Sequence, residues 1–315
     1  MTSHEILLLI ASILAIILVI MVHNSFKISP SSDDYSDIKT GGPIEARYLG
    51  MGEYNVASLK VNTPNEDSKY SICFPEDIFH SDEIFPVIIY SNGTLVKGTD
   101  FPLVMRRLSS WGFIVMATEE EFSHSGTASE MCLELILRLN DSKKIAGISS
   151  NPFYKKVDTD NIGITGHSQG GAAVFNAFND FQYSSKIKAI FAASPVSMGL
   201  SHKLGWDYNP SIITVPTFLV SCLGRGDERI VVNEEELLEI YNLLPDSIFK
   251  VMARRVDADH GDMLNRADGY MTAWFRWILR DDKEAAKAFI GEAPEILDNP
   301  LYKNAMVGDP GSFIS

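Results

Sequence analysis

The chain alternates short apolar runs with amphipathic stretches, the pattern of a sheet covered by helices on both faces. The runs Phe85 to Tyr90, Gly112 to Ala117, Asn161 to Thr165, Lys186 to Ala193, Val215 to Cys222 and Ser247 to Ala253 predict strands. Between them, Asp100 to Trp111, Ser129 to Leu139 and Tyr270 to Leu279 space their apolar residues for helices. Tyr54 to Val61 and Tyr70 to Phe74 predict an antiparallel pair at the sheet edge. The expected fold class is α/β, with a mostly parallel central sheet.

The two ends break this rhythm. Ile6 to Val22 carries no charge over seventeen residues, about 25 Å as a helix and at the short end of a membrane span. Met1-Thr2-Ser3-His4-Glu5 is not basic and no Ala-x-Ala follows, so an uncleaved anchor is expected rather than a signal peptide. The organisation read from the pattern is 1–27 anchor (or signal), 28–50 polar linker, 51–282 α/β domain and 283–315 C-terminal extension. Within that extension, Asp281 to Glu292 reads as a continuation of the last helix and Ala293 to Ser315 as an irregular tail.

Composition narrows the function. A chain of 315 residues that is 45% hydrophobic buries a full core. Its charge, 27 − 41 = −14, argues against nucleic acid and against electrostatic docking on anionic lipid. Cys73, Cys132 and Cys222 lie in apolar segments and read as buried free thiols. Asp257, Asp259 and Asp262 read as solvated loop carboxylates rather than a cation site, and no metal site is expected.

The strand Asn161 to Thr165 runs into Gly166-His167-Ser168-Gln169-Gly170, a Gly-x-Ser-x-Gly followed by the helix formers Ala172 to Phe175. A nucleophilic serine must stand on a tight, strained strand-to-helix turn with nothing bulky nearby. Gly166 and Gly170 supply that clearance, and Gly171 lets the helix lie close to the sheet. The triad on such a turn runs Ser, then Asp or Glu, then His along the chain. Of the seven histidines only His202 and His260 follow Ser168 and its neighbour His167. Asp227 lies in the loop that the strand Val215 to Cys222 opens into, after His202, which leaves His260 as the base. His167 reads as a packing or hydrogen-bonding residue of the elbow.

These motifs resemble the α/β-hydrolase superfamily from about Tyr54 to Asp282. The chain looks most like cap-less serine esterases: cutinase-like polyester hydrolases, platelet-activating-factor acetylhydrolases and chlorophyllase-like enzymes. Phe85 to Thr94 resembles their strand and oxyanion loop, with Asn92 where many members have His or Pro. Val215 to Val231 resembles their acid strand, and Asp259 to Asp262 with the following helix their histidine loop. The resemblance implies an oxyanion hole from the backbone N–H groups of Thr94 and Gln169, with Gly93 the alternative to Thr94. Asn92-Gly93-Thr94 is also a glycosylation sequon, poorly placed for use beside a nucleophile. Only 21 residues separate Ala193 from Val215, too few for the lid that relatives insert there. An open, shallow site is expected, with Trp206 and Tyr208 available as walls and a bulky, surface-presented or polymeric ester as the better fit.

The function read from these features is a serine carboxylic-ester hydrolase with triad Ser168, Asp227 and His260, needing no cofactor. The alternatives are hydrolysis of another acyl bond, lactone or peptide, and a non-catalytic binding module on the same scaffold. Lys27 and Lys39 follow the N-terminal segment and argue for an inward-facing domain. The resembling esterases are mostly exported, and the reading leans outward on that ground.

Overall fold

A computed structural model describes residue 35 and residues 37–62, 69–100, 102–144, 151–179, 181–309 and 311. The segment read as an anchor, Ile6 to Val22, lies outside them. Among the described residues no helix is long and apolar enough to cross a membrane.

Nine strands form one sheet in the order β1-β2-β4-β3-β5-β6-β7-β8-β9. They are β1 (Val56–Asn62), β2 (Lys69–Pro75), β3 (Phe85–Ser91), β4 (Ile114–Thr118), β5 (Val157–His167), β6 (Ile187–Ala193), β7 (Thr217–Cys222), β8 (Lys250–Arg255) and β9 (Tyr302–Val307). From β4 through β8 every pairing is parallel, and β1, β2 and β9 join antiparallel at the edges. The larger helices are α1 (Pro43–Leu49), α2 (Pro102–Ser110), α3 (Thr127–Asp141), α4 (Gln169–Asn176), α5 (Glu234–Leu243) and α6 (Asp268–Arg280). This is the mostly parallel α/β architecture of an α/β hydrolase.

Every residue of β3, β4 and β7 is buried, as expected of central strands covered on both faces. Alternate side chains feed two cores. Ile88, Val115, Phe191 and Phe218 pack with α2 and α6 on one face, while Val87, Ile89, Ile164 and Leu219 pack with α3, α4 and α5 on the other. The antiparallel β1 and β2 pair at one edge, as the sequence pattern predicts, and the three cysteines are buried free thiols. Strand β8 begins three residues later than the apolar run predicts, at Lys250.

Three expectations about the chain ends fail. The stretch read as linker contains α1, which docks on α6 and buries Ile44, Glu45 and Tyr48. Glu45 pairs with Arg255 from β8, and both side chains are fully buried. Tyr35, ahead of α1, donates from its hydroxyl to Asp268 at 2.7 Å, and Asp268 is paired with buried Arg107 at 3.0 Å. At the other end, α6 does not continue to Glu292. Asp281 takes a left-handed conformation (φ 52°), and Asp282 then caps a separate short turn, Lys283–Ala286, by accepting from Glu284 and Ala285 N–H. The tail read as irregular pairs with β8 as β9, where Tyr302 sits opposite Arg255 and its hydroxyl accepts from Arg255 at 3.1 Å.

Between β6 and β7 the chain forms only the short helix Met198–Lys203 and a 3-10 turn, Pro210–Ile212. No cap domain stands between these two strands.

Candidate active site

Ser168 occupies the turn between β5 and α4 with φ 59° and ψ −121°, a strained conformation for any residue but glycine. The surrounding glycines are steric necessities. A Cβ on Gly166 would stand 2.3 Å from the Gly170 carbonyl oxygen, and one on Gly170 would stand 2.0 Å from the Ser91 carbonyl oxygen. One on Gly171 would meet the Ala193 carbonyl oxygen at 2.6 Å. The spacing in the sequence therefore reports a real close approach of α4, β3 and β6.

His260 and Asp227 come together from loops 33 residues apart, with Nδ1 donating to Oδ1 at 2.6 Å. Asp227 is completely buried and begins a single π-helical turn, Asp227–Val231. Burial alone would raise its carboxyl. The charge of His260 and hydrogen bonds from His260, Ser194 and Cys222 outweigh burial and hold it below the usual carboxylate range. The two loops are pressed together. A Cβ on Gly226 would lie 2.7 Å from His260 Cβ, and Asp259 Oδ1 accepts from both Gly226 N–H (2.7 Å) and His260 N–H (2.8 Å).

The aspartates around His260 thus have structural partners. Asp259 braces the two loops, Asp262 accepts from Asp259 N–H at 2.8 Å, and Asp257 accepts from Arg255 Nε at 2.6 Å. Among the described residues no group of His, Cys, Asp and Glu is arranged to hold a metal ion. His202, excluded by chain order, is exposed and pairs with Asp207 at 3.0 Å.

The loop after β3 passes beside the elbow serine: a Cβ on Gly93 would stand 3.7 Å from Ser168 Cβ. Thr94 follows with its side chain exposed, and Leu95 takes φ 59° while donating its N–H to Glu121 at 2.7 Å. Asn92 is buried and donates from Nδ2 to the carbonyls of Thr118 (2.7 Å) and Glu120 (2.9 Å), which locks the loop to the end of β4. The same contacts occupy the amide nitrogen of the sequon. Gln169 opens α4, so its N–H has no acceptor within the helix. Its side chain accepts from Ser123 N–H at 2.9 Å, and the Ser123 hydroxyl donates to the Asn92 carbonyl. One buried serine therefore holds both strands of chain expected to bind the oxyanion.

The two aromatic residues expected at the wall differ. Trp206 is half-buried and lies 5.8 Å from the His124 ring. Tyr208 is buried, stacks on Phe175 at 5.4 Å and donates its hydroxyl to the Val196 carbonyl at 2.7 Å. Tyr208 thus packs the 194–210 segment onto α4, because its hydroxyl finds a partner there. Leu95, Phe122, Leu204, Leu223 and Ile230 are exposed on segments that follow the carboxyl ends of β3, β4, β6 and β7.

Ser194 and Ser123 were not legible as site residues, because each is an ordinary polar residue in a loop or at a strand end whose partner is distant in sequence. Asn92 and Asp259 were placed in the right loops, but their bracing contacts with Thr118, Glu120 and Gly226 were not readable. Ser194 leaves only one trace, as a polar residue ending the apolar run of β6.

A family model described as PETase, PET hydrolase-like, matches residues 40–304. Chlorophyllase type 0 of Chenopodium album is 21% identical over 231 residues, a match covering 65% of this chain and 64% of that protein's own length. The family match begins ahead of α1 and reaches into β9, the two elements that the sequence pattern alone leaves out of the fold.

Proposed function

The chain belongs to the PET hydrolase-like family of ester-hydrolysing α/β hydrolases, and from that premise we propose that it is a serine carboxylic-ester hydrolase acting through an acyl-enzyme. The observation that carries this reading is the buried 2.6 Å pair of His260 and Asp227 beside a strained elbow serine. Ser168 Oγ attacks the ester carbonyl and its proton passes to His260 Nε2. Asp227 holds the Nδ1–H tautomer and stabilises the imidazolium. The amides of Thr94 and Gln169 receive the developing oxyanion. Collapse of the tetrahedral adduct expels the alcohol, which takes the proton from His260. Water, activated by the same imidazole, then releases the carboxylic acid and restores Ser168. Every step uses protein groups and water, so the chemistry calls for no cofactor.

For the substrate, the short connection between β6 and β7 and the exposed apolar residues that follow the sheet's carboxyl edge favour a bulky, water-insoluble or polymeric ester over a small buried one. Hydrolysis of p-nitrophenyl esters of graded acyl length, beside release of soluble acid from an aromatic polyester film, tests both parts. Turnover abolished in Ser168→Ala supports the chemistry. Loss of film hydrolysis alone would restrict the substrate to soluble esters.

We also propose that Ile6 to Val22 tethers the enzyme to a membrane with the catalytic domain outside the cytoplasm. Its uncharged length supports this. Full-length protein should sediment with membranes through alkaline washing and be digestible by protease added to intact cells. Recovery of a shortened chain from the medium would instead mean a cleaved signal.

A further inference from the structure

Asp227 uses both oxygens of its carboxylate fully. Oδ1 accepts from His260, and Oδ2 accepts from Ser194 Oγ at 2.6 Å, Cys222 N–H at 2.8 Å and the Cys222 thiol at 3.1 Å. Water does not compete, because the group has no exposed surface. The Cys222 amide is fixed by β7, and its thiol is a weak donor. Burial, and then the nearby charge of Asp227, push that thiol up and keep it protonated. Ser194 makes the shortest of the Oδ2 contacts, and it does so from a different strand end.

The backbone on either side of Ser194 grips the nucleophile. The Ala193 carbonyl accepts from Ser168 N–H at 3.0 Å, and Val196 N–H donates to the Ser168 carbonyl at 3.2 Å. Ser194 itself has φ 41° and donates its N–H to the Val220 carbonyl at 2.6 Å. A residue with a side chain rarely keeps such a backbone conformation unless surrounding contacts enforce it. Here a single turn of chain holds Ser168 through its backbone and Asp227 through its side chain.

We propose that Ser194 is a positioning residue of the triad: its hydroxyl holds Oδ2 so that Oδ1 faces His260 Nδ1, and it ties the acid to the backbone of the nucleophile. The proposal rests on the triad reading given above. Without the hydroxyl, Asp227 loses a charge-assisted bond in a dry site, gains freedom to rotate and becomes more basic. The more basic carboxylate stabilises the imidazolium of His260. The titratable groups around this pair are Cys222 on β7, Asp259 beside the histidine and His167 against its ring.

The test compares Ser194→Ala, Ser194→Gly and Ser168→Ala in the full-length protein with a soluble p-nitrophenyl ester. For both Ser194 variants kcat should fall roughly ten- to a hundredfold with KM within about twofold, the range expected for a lost bond to a charged group. The rise of kcat with pH should move to higher pH. Ser194→Gly should keep a Tm close to wild type, because glycine accepts the positive φ without strain. A merely structural serine would change Tm and leave both kcat and the pH profile in place. A folded Ser194→Gly enzyme with wild-type kcat and pH profile, beside an inert Ser168→Ala, overturns the positioning role alone. Turnover that survives Ser168→Ala overturns the triad reading beneath it.

Discussion

His167 packs at a tilt against His260 with ring centroids 4.4 Å apart, and its Nε2 donates to the His260 carbonyl oxygen at 2.8 Å. A carbonyl oxygen only accepts, so Nε2 carries the proton and Nδ1 is the bare nitrogen of a neutral ring. Burial, reinforced by the charge of His260, lowers His167 to about 3 and keeps it neutral beside that ring. On the proposed mechanism, a second imidazolium there would oppose the one formed on His260.

That shift makes stability depend on pH with a definite sign. Between an unfolded value of 6.5 and about 3, the unfolded chain binds a proton at His167 that the folded chain refuses. Stability is therefore lost as pH falls through this window, by up to about 1.4 kcal/mol per unit. Asp268 works the other way: burial, which outweighs the opposing Arg107 charge, raises its carboxyl to about 6, so protonation there favours the folded state. The informative quantity is thus the difference between wild type and His167→Gln in urea midpoints from pH 7 to 4. The variant should lose less stability on acidification, and parallel curves would contradict the assignment.

The contact between the acid loop and the histidine loop leaves no room for a methyl group. In Gly226→Ala the new Cβ would stand 2.7 Å from His260 Cβ and 2.8 Å from Asp259 Oδ1. Gly226 has φ −61°, so the backbone tolerates alanine and the effect isolates crowding. Overpacking of this kind costs about 1–3 kcal/mol, and displacement of the base should lower kcat roughly tenfold or more. A variant with wild-type kcat would mean that the two loops separate freely.

The buried polar contacts of α1 predict where the chain can be shortened. A chain starting at Ser31 keeps Tyr35, Glu45 and Tyr48 and should fold with full activity. One starting at Gly52 strips Glu45 from Arg255 and uncovers α6. Removing one partner of a buried ion pair costs about 3–5 kcal/mol, so this shorter chain should show a much lower urea midpoint or fail to fold. Equal midpoints for the two chains would return residues 43–49 to the status of a linker.

What the sequence made legible follows from which interactions are local. The elbow was readable because the clashes that demand Gly166 and Gly170 lie within the motif and its adjacent strand. Strands β3 to β7 were readable because burial on both faces leaves long apolar runs. Asp227 and His260 followed from chain order. Helix α1 was hidden because one of its buried residues is Glu45, whose partner Arg255 lies 210 residues away. Strand β9 was hidden because Lys303 and Asn304 interrupt its apolar pattern, and its pairing depends on an edge that only the folded sheet creates. Ser194 and Ser123 were invisible for the same reason: their partners, Asp227 and Gln169, are 33 and 46 residues away.

Backbone and side chain can be separated at Thr94, whose side chain is exposed. If its amide binds the oxyanion, Thr94→Ala should keep most activity. Thr94→Pro deletes the N–H and should cost about 3 kcal/mol of transition-state stabilisation, mainly in kcat. Gly93→Pro is the companion variant, since Gly93 is the neighbour that approaches Ser168. Melting temperatures establish that each variant is folded. Equal damage from Thr94→Ala and Thr94→Pro would contradict the amide assignment.

The central claim is that Ser168 is a nucleophile activated by His260 and Asp227. Labelling of the full-length protein with a fluorophosphonate, read by peptide mass, tests it most directly. The account predicts one adduct, on the peptide carrying Ser168, absent in Ser168→Ala and formed orders of magnitude more slowly in His260→Ala. An adduct that persists in Ser168→Ala, or that forms at the wild-type rate without His260, would contradict it.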